Sequence, residues 1–295
     1  MSTRSRTPTV ASLLFTLNGS IVPVIWRRVL YTILLSVGVV WLDVHFFALH
    51  IGLNAAPLTL MGLTLAIFLG FRNTVAYQRW WDARTLWGEM IFTMRNLARQ
   101  TLAFLPDTPA AERGVLVHRL VAFTHAMRHH LRATDPAGEL SRWLGDDERE
   151  TMLAAPNRPS AILARTGVAY AEAARAQGAD PILLSAIDNE LGKLSHVLAG
   201  CERIQGTPIP YAYILLLHRT VHIYCFLLPF CMVSLMGWFT PLVVGVLAYT
   251  FFGLDALGDQ IEDPFGLLPN DLPLERYCAT AETDLLSLTD SPRPE

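Results

Sequence analysis

The sequence predicts an all-α integral membrane protein with four transmembrane helices and a helical cytoplasmic body. Three observations predict it. Only 17% of the 295 residues are charged, against roughly 25% in soluble domains. The deficit is concentrated in two blocks. Between Arg28 and Arg72 the sole formal charge is Asp43, and the 35 residues between Arg219 and Asp255 carry none. Between the blocks lies an Arg-rich region whose apolar residues recur at three- and four-residue spacing, the pattern of amphipathic helices.

Taken in order, residues 1–28 read as a cytoplasmic segment. Leu13–Leu17 is too short for a signal-peptide core, and no small-residue cleavage site follows it. The first hairpin occupies 29–71. A span needs about 20 apolar residues, and Val29 to about Leu49 supplies one, with Asp43 and His45 near its far end. NAAP (54–57) signals a turn, its proline suited to a first helical turn. The second helix starts at Leu58, leaves lipid near Arg72 and continues to about residue 104, because no proline interrupts it.

Arg27 and Arg28 precede the first span, and Arg72, Arg79 and Arg84 follow the second. By the positive-inside rule both ends of the hairpin face the cytoplasm. Residues 72–209 then form the cytoplasmic region, with helical patterns at 115–131 and 180–204 and a break at PNRPS (156–160). The second hairpin occupies 210–254, as Thr220–Met236 and Pro241–Leu254 around GWFT. Residues 255–295 return as a cytoplasmic tail. The location expected is an inner, cytoplasmic membrane with both termini inside.

Chemistry is sparse. There is no phosphate loop, no GxSxG elbow and no basic stripe for nucleic acid, so neither an enzyme nor a nucleic-acid partner is expected, and no cofactor is implied. The four cysteines form no CxxC pair and read as structural thiols. His125/His129 and His218/His222 have the i,i+4 spacing that can ligate a metal from one helix face, but neither pair encloses the Glu of HExxH. Both pairs read as ordinary helix histidines, and no metal site is assigned. The spans hold almost no ionisable residues, which argues against a pump or coupled transporter. Pro229 interrupts one span, and nothing in the first hairpin corresponds to it.

One pattern in the second helix suggests more. Leu63, Ile67 and Phe71 stand at i, i+4, i+8, drifting about 40° per step. Gly62, Ala66 and Gly70 form an adjoining small stripe. Small residues let membrane helices approach closely. Such a helix could pack against copies of itself and point apolar rings at an axis, where they would control ions by dewetting.

LGFRNTVAYQRWWDARTLWG (69–88) resembles the signature at the end of the second membrane helix of the bestrophin family, in its bacterial branch. IEDPFGLLPNDLPL (261–274) resembles that family's second signature, and DPILLSAIDNEL (180–191) and GCERIQGTPIPYAY (200–213) also look like family segments. The resemblance covers almost the whole chain. It implies a homopentameric ion channel in the lipid bilayer, with five protomers around one axial pore that conducts small monovalent ions. It further implies that Leu63, Ile67 and Phe71 form the neck, that Ile182 forms a constriction at the cytoplasmic exit, and that Arg72, Asn73, Arg79, Trp80, Asp263, Pro264, Phe265 and Gly266 are structural signature positions. Animal members are chloride channels opened by calcium, whereas some bacterial relatives pass monovalent cations, so the sign of the ion stays open. A membrane-anchored helical scaffold without conduction is the alternative.

IEDPFGLLPNDLPLE (261–275) packs four carboxylates and three prolines into fifteen residues. Calcium requires about six to eight oxygens. In calcium-gated relatives an acidic run follows the Pro-Phe-Gly motif. Here Leu267 and Leu268 take those places and offer no side-chain oxygen. The stretch is therefore expected to be a rigid turn. Its leucines 267, 268 and 272 should bury, its carboxylates should cap helices or pair with arginines, and conduction should not be gated by calcium.

Overall fold

The structure, a computed structural model, describes residues 19–45 and 54–289. Leu13–Leu17, the last residues expected of the first span and the final six residues lie outside the described residues. Every regular element described is helical: α1 (Val22–His45), α2 (Ala55–Phe104), α3 (Ala110–Leu131), α4 (Ala137–Leu140), α5 (Asp146–Ala154), α6 (Arg158–Ala176), α7 (Pro181–Gly206), α8 (Tyr211–Met236), α9 (Thr240–Glu262) and α10 (Leu274–Thr289). A single 3-10 turn, Gly237–Phe239, joins α8 to α9.

Three apolar helical stretches are long enough to cross a membrane: Val22–His45, Ala55–Phe104 and Tyr211–Glu262. The last is 52 residues long and comprises α8 and α9 on either side of the 3-10 turn.

The chain divides into two compact units. The first contains residues up to Trp80 together with Pro208–Asp271, and the second contains Trp81–Thr207 and the residues from Leu272 on. The C-terminal stretch read from sequence as one tail is thus shared between the units. In the first unit α9 packs along α1 and α8. Its core holds Leu65 and Leu69 of α2, Val221, Tyr224 and Leu228 of α8, and Val244, Ala248 and Phe252 of α9. α8 runs unbroken past Pro229.

α2 is 50 residues long, about 75 Å at 1.5 Å per residue. The Asn54 side-chain oxygen accepts from the Ala56 amide at 3.0 Å and starts it, with Pro57 in the first turn. Pro106 follows just past its end, where the missing amide and the ring forbid continuation. α9 does not close at Leu254. It continues two turns to Glu262 and stops before Asp263-Pro264, since a residue preceding proline is driven out of the α region. Asp263 has the extended ψ of 90° that this requires.

In the second unit α3 is the central helix, packed by α6, α7 and α10. Leu116, Val117, Leu120 and Phe123 of α3 are all but inaccessible. α6 is capped by Asn157, whose side chain accepts from the Ser160 amide at 3.1 Å, and has a proline in its first turn. α7 is capped in the same way: Asp180 accepts from the Ile182 amide at 2.8 Å, and Pro181 is its first residue.

Candidate functional site

Leu63, Ile67 and Phe71 share one face of α2, and all three are open in the protomer, at 61%, 49% and 62% exposure. Leu65, Leu69 and Ala76 are buried on the opposite side. The small stripe beside them splits. A Cβ on Gly62 would come within 2.7 Å of the Tyr224 hydroxyl, so Gly62 is where α2 meets α8 of its own chain. Gly70 has open space around its Cα, and Ala66 is exposed. The expectation that all three small residues serve contacts between copies therefore fails at Gly62, because Tyr224 already fills that notch.

Arg72 follows Phe71 directly and turns the other way. Its side chain is fully buried. One guanidinium nitrogen donates to the Asp255 carboxylate at 3.0 Å, and the other bonds Asp259 and lies 3.6 Å from Glu262. Asp255 is itself fully buried and accepts from His218 at 2.6 Å. His218 also reaches Asp259 at 3.3 Å. A Cβ on Gly258 would lie 2.5 Å from the Asn73 side-chain oxygen and 3.4 Å from the Arg72 guanidinium carbon, so only glycine lets α9 approach here.

The neighbouring signature residues clamp the same two helices. The Asn73 amide donates to the Leu254 carbonyl at 3.1 Å, and Arg79 donates to the Glu262 carbonyl at 3.1 Å. The Trp80 indole donates to the Asn270 carbonyl at 3.0 Å. Arg79 thus caps the C-terminus of α9, whose last carbonyls have no helical partner, and Asn73 holds the same helix two turns earlier.

The loop after α9 is folded on its own backbone. Asp263 accepts from the Phe265 amide at 3.4 Å, and Asp271 accepts from the Leu268 amide at 2.6 Å. Phe265 is buried, and a Cβ on Gly266 would collide with the Asp271 carboxylate at 2.5 Å. Two carboxylates of the stretch pair with arginines: Glu262 with Arg72, and Glu275 with Arg132. The leucines divide against expectation. Leu272 is buried, but Leu267 and Leu268 are 79% and 52% exposed. Phe265 takes the inward position, and the tight turn leaves both leucines at its tip.

Ile182 lies in the first turn of α7, held by the Asp180 cap, and is 75% exposed. Of the two histidine pairs, His218 and His222 do not converge. The His222 ring nitrogen bonds the His218 carbonyl at 2.7 Å and its ring meets Phe252 edge-on, while His218 faces Asp255 and Asp259. His218, Asp255 and Asp259 each offer a ligand atom within 4.8 Å of the others. Both carboxylates already bond Arg72, which supplies the cation that a metal would otherwise bring.

His125 and His129 do converge, on Glu139, at 2.7 and 3.3 Å, and Arg128 joins the same carboxylate at 2.5 Å. Burial lowers the pKa of both histidines, and the Arg128 charge lowers it further. Burial alone would raise Glu139, but the hydrogen bond from Arg128 and the charges of His125 and Arg128 hold it at about 2. This is a cation-paired carboxylate under a histidine pair. The four cysteines are buried and free, and burial pushes Cys201 and Cys278 up to about 12, as befits inert thiols.

Sequence reasoning missed the acidic partners of Arg72. A signal was present: Asp255, Asp259 and Glu262 recur on one face of a helix just past an apolar run, and Arg72 is the first charge past the apolar run of the other long helix.

The family description "Bacterial/Fungal Bestrophin protein" matches residues 1–287. The chain belongs to the bacterial bestrophin family. Among its relatives, a voltage-dependent anion channel-forming protein of Mesorhizobium japonicum is 41% identical over 98% of this chain and 92% of that protein. The similarly named YneE of Escherichia coli K12 is 38% identical over 94% of this chain and 90% of its own length. The crystal structure of a bacterial bestrophin homolog from Klebsiella pneumoniae superposes with a TM-score of 0.87 at 39% identity, covering 91% of this chain and 99% of that one. In this bestrophin, then, the arginine and tryptophan of the first signature act as clamps on the element that carries the second signature.

Proposed function

We propose that this bestrophin is a passive ion channel, assembled as a homopentamer in the cytoplasmic membrane, with Leu63, Ile67 and Phe71 as three apolar rings of an axial neck. One observation carries the reading. The three side chains form an open stripe on α2, while the charge that follows them, Arg72, is turned inward and neutralised by Asp255, Asp259 and Glu262. A helix that leaves large apolar side chains open and buries its nearest charge suits a hydrophobic constriction that regulates ions by wetting. Fivefold closure places the conduit between subunits, which accounts for spans that carry almost no polar groups.

Each protomer contributes four spans in this reading, because a 52-residue apolar stretch is about 78 Å of helix, far beyond the roughly 30 Å of a bilayer core. It crosses twice, folding back at Gly237–Phe239. The first hairpin opens toward the cytoplasm, in keeping with Arg27, Arg28, Arg79 and Arg84 under the positive-inside rule, and the second, entered from the cytoplasmic region and crossing twice, returns to the same side. Ile182, exposed in a rigid capped turn, forms the second constriction at the exit.

Two observations bear on the sign of the ion. The relatives are named for anions. On α2 itself, Asp82 and Glu89 fall within about 20° of Phe71 on the helical wheel, and Asp82 is exposed. Such an acidic line beyond the neck favours monovalent cations. Planar-bilayer recording of the purified chain under a salt gradient tests both the channel and its selectivity. A conductance whose reversal potential follows the anion or the cation gradient supports the corresponding reading. A pure protein of about five protomers' mass that reconstitutes without conductance refutes the channel and leaves the scaffold.

A further inference from the structure

A second site lies within the first unit, away from the Arg72 cluster. A cavity of about 280 Å³ opens between α1, α8 and α9, with Arg27 and Arg28 on its wall beside Tyr31, Phe226 and Phe252. Neither arginine has a carboxylate partner among the described residues. The Arg27 guanidinium lies 5.5 Å from the Trp26 ring, and one nitrogen of the Arg28 guanidinium is buried with no hydrogen-bond acceptor. Two other polar groups of the wall are already engaged. The Thr32 hydroxyl donates to the Arg28 carbonyl at 2.9 Å, and the His222 ring bonds the His218 carbonyl and meets Phe252.

A buried guanidinium nitrogen without an acceptor is costly. It calls for an anion, and two guanidinium side chains lining one cavity match a phosphate better than a carboxylate. The rest of the wall calls for hydrocarbon: Tyr31 and Phe226 are 60% and 46% exposed. A free phosphate would satisfy the arginines and leave that wall wet. An amphiphile with an anionic head satisfies both. The position agrees. These arginines open α1 beside Trp26, an interfacial aromatic, at the leaflet where basic pockets between membrane helices recruit anionic headgroups.

We propose that this cavity is a binding site for an anionic phospholipid, with its phosphate between Arg27 and Arg28 and an acyl chain along Tyr31 and Phe226. The inference rests on the membrane placement above and not on conduction.

The test is native mass spectrometry of the full chain purified in detergent. Phosphatidylglycerol and phosphatidylcholine with the same acyl chains are added in competition. Wild type should retain phosphatidylglycerol several-fold over phosphatidylcholine. Arg27→Ala/Arg28→Ala should lower that ratio to near one, and Arg28→Gln should lower it in part. Excess inorganic phosphate or glycerol 3-phosphate should not displace the lipid. Equal retention of the two lipids by wild type overturns the proposal even if the double variant fails to fold. An unchanged ratio in a folded double variant also overturns it, as does displacement by free phosphate, which would mark a soluble-anion site. A chain that needs no detergent would instead sink the membrane placement itself.

Discussion

Replacing Arg72 by Met isolates the contribution of the buried ion cluster. Met keeps most of the side-chain volume and removes the charge. Asp255, with no accessible surface, then keeps His218 as its side-chain partner among the described residues. Removing one member of a buried pair costs about 3–5 kcal/mol, because the remaining charge stays desolvated. Asp255→Asn is milder. It removes the charge in place and leaves Arg72 its bond to Asp259 and its proximity to Glu262, for about 1–3 kcal/mol of disturbed hydrogen bonding. Asp259 is 41% exposed, so Asp259→Asn should cost no more than about 1 kcal/mol. The expected order of destabilisation is Arg72→Met, then Asp255→Asn, then Asp259→Asn. Arg72→Met/Asp255→Leu should recover much of the loss, since a buried pair replaced by apolar groups is often neutral. Thermal unfolding of the detergent-purified protein, followed by size-exclusion fluorescence, reads the order. Equal losses for Arg72→Met and Asp259→Asn, or no recovery in the double variant, would refute the view that burial of Asp255 sets the energy.

Leu63→Ala, Ile67→Ala and Phe71→Ala should each widen and wet the neck and raise ion flux from proteoliposomes, with Phe71 largest; unchanged flux in all three would place the pore elsewhere. Ile182→Ala should raise conductance modestly, and Ile182→Arg should depress cation flux by setting five charges at one level; an arginine ring without effect on either ion removes Ile182 from the pathway. Flux should be the same in chelator and in micromolar free calcium, because Asp263 and Asp271 are turned onto their own loop amides; a steep rise would reveal ligands from elsewhere. In the second unit, stability should fall with acid in two stages. Below about 6.5 protonation of His125 and His129, whose pKa values the fold lowers, begins to cost stability. From 4.5 toward 2 the contribution of ionised Glu139 is lost. Glu139→Gln should therefore cost about 1–2 kcal/mol at neutral pH, discounted for a side chain one-third exposed, and the gap to wild type should narrow below pH 4.5 and close only as the pH falls through about 2 in acid-unfolding curves.

The helices and the family were legible in the sequence because both rest on local pattern. Partition into lipid depends on composition within about 20 residues, so two uncharged blocks suffice to announce membrane helices. The end of α2 follows from Pro106 alone, and the caps of α6 and α7 follow from Asn157 and Asp180 a few residues from the amides they satisfy. The i, i+4, i+8 spacing of Leu63, Ile67 and Phe71 likewise fixes a common helix face without any knowledge of packing.

Tertiary structure alone decided what faces what. Arg72 and Asp255 are 183 positions apart, and no local rule pairs them. Their neutralisation lets α9 run on to Glu262, where a reading of hydropathy closes the helix at the first charge. Gly62 belongs to Tyr224 in the same chain, because only the packed bundle puts that ring in the notch. Leu267 and Leu268 stand outside while Phe265 goes in, because a turn has one inward position and the bulkiest side chain holds it. Hydrophobicity tells which residues leave water on average; the geometry of close packing decides which of them find a place.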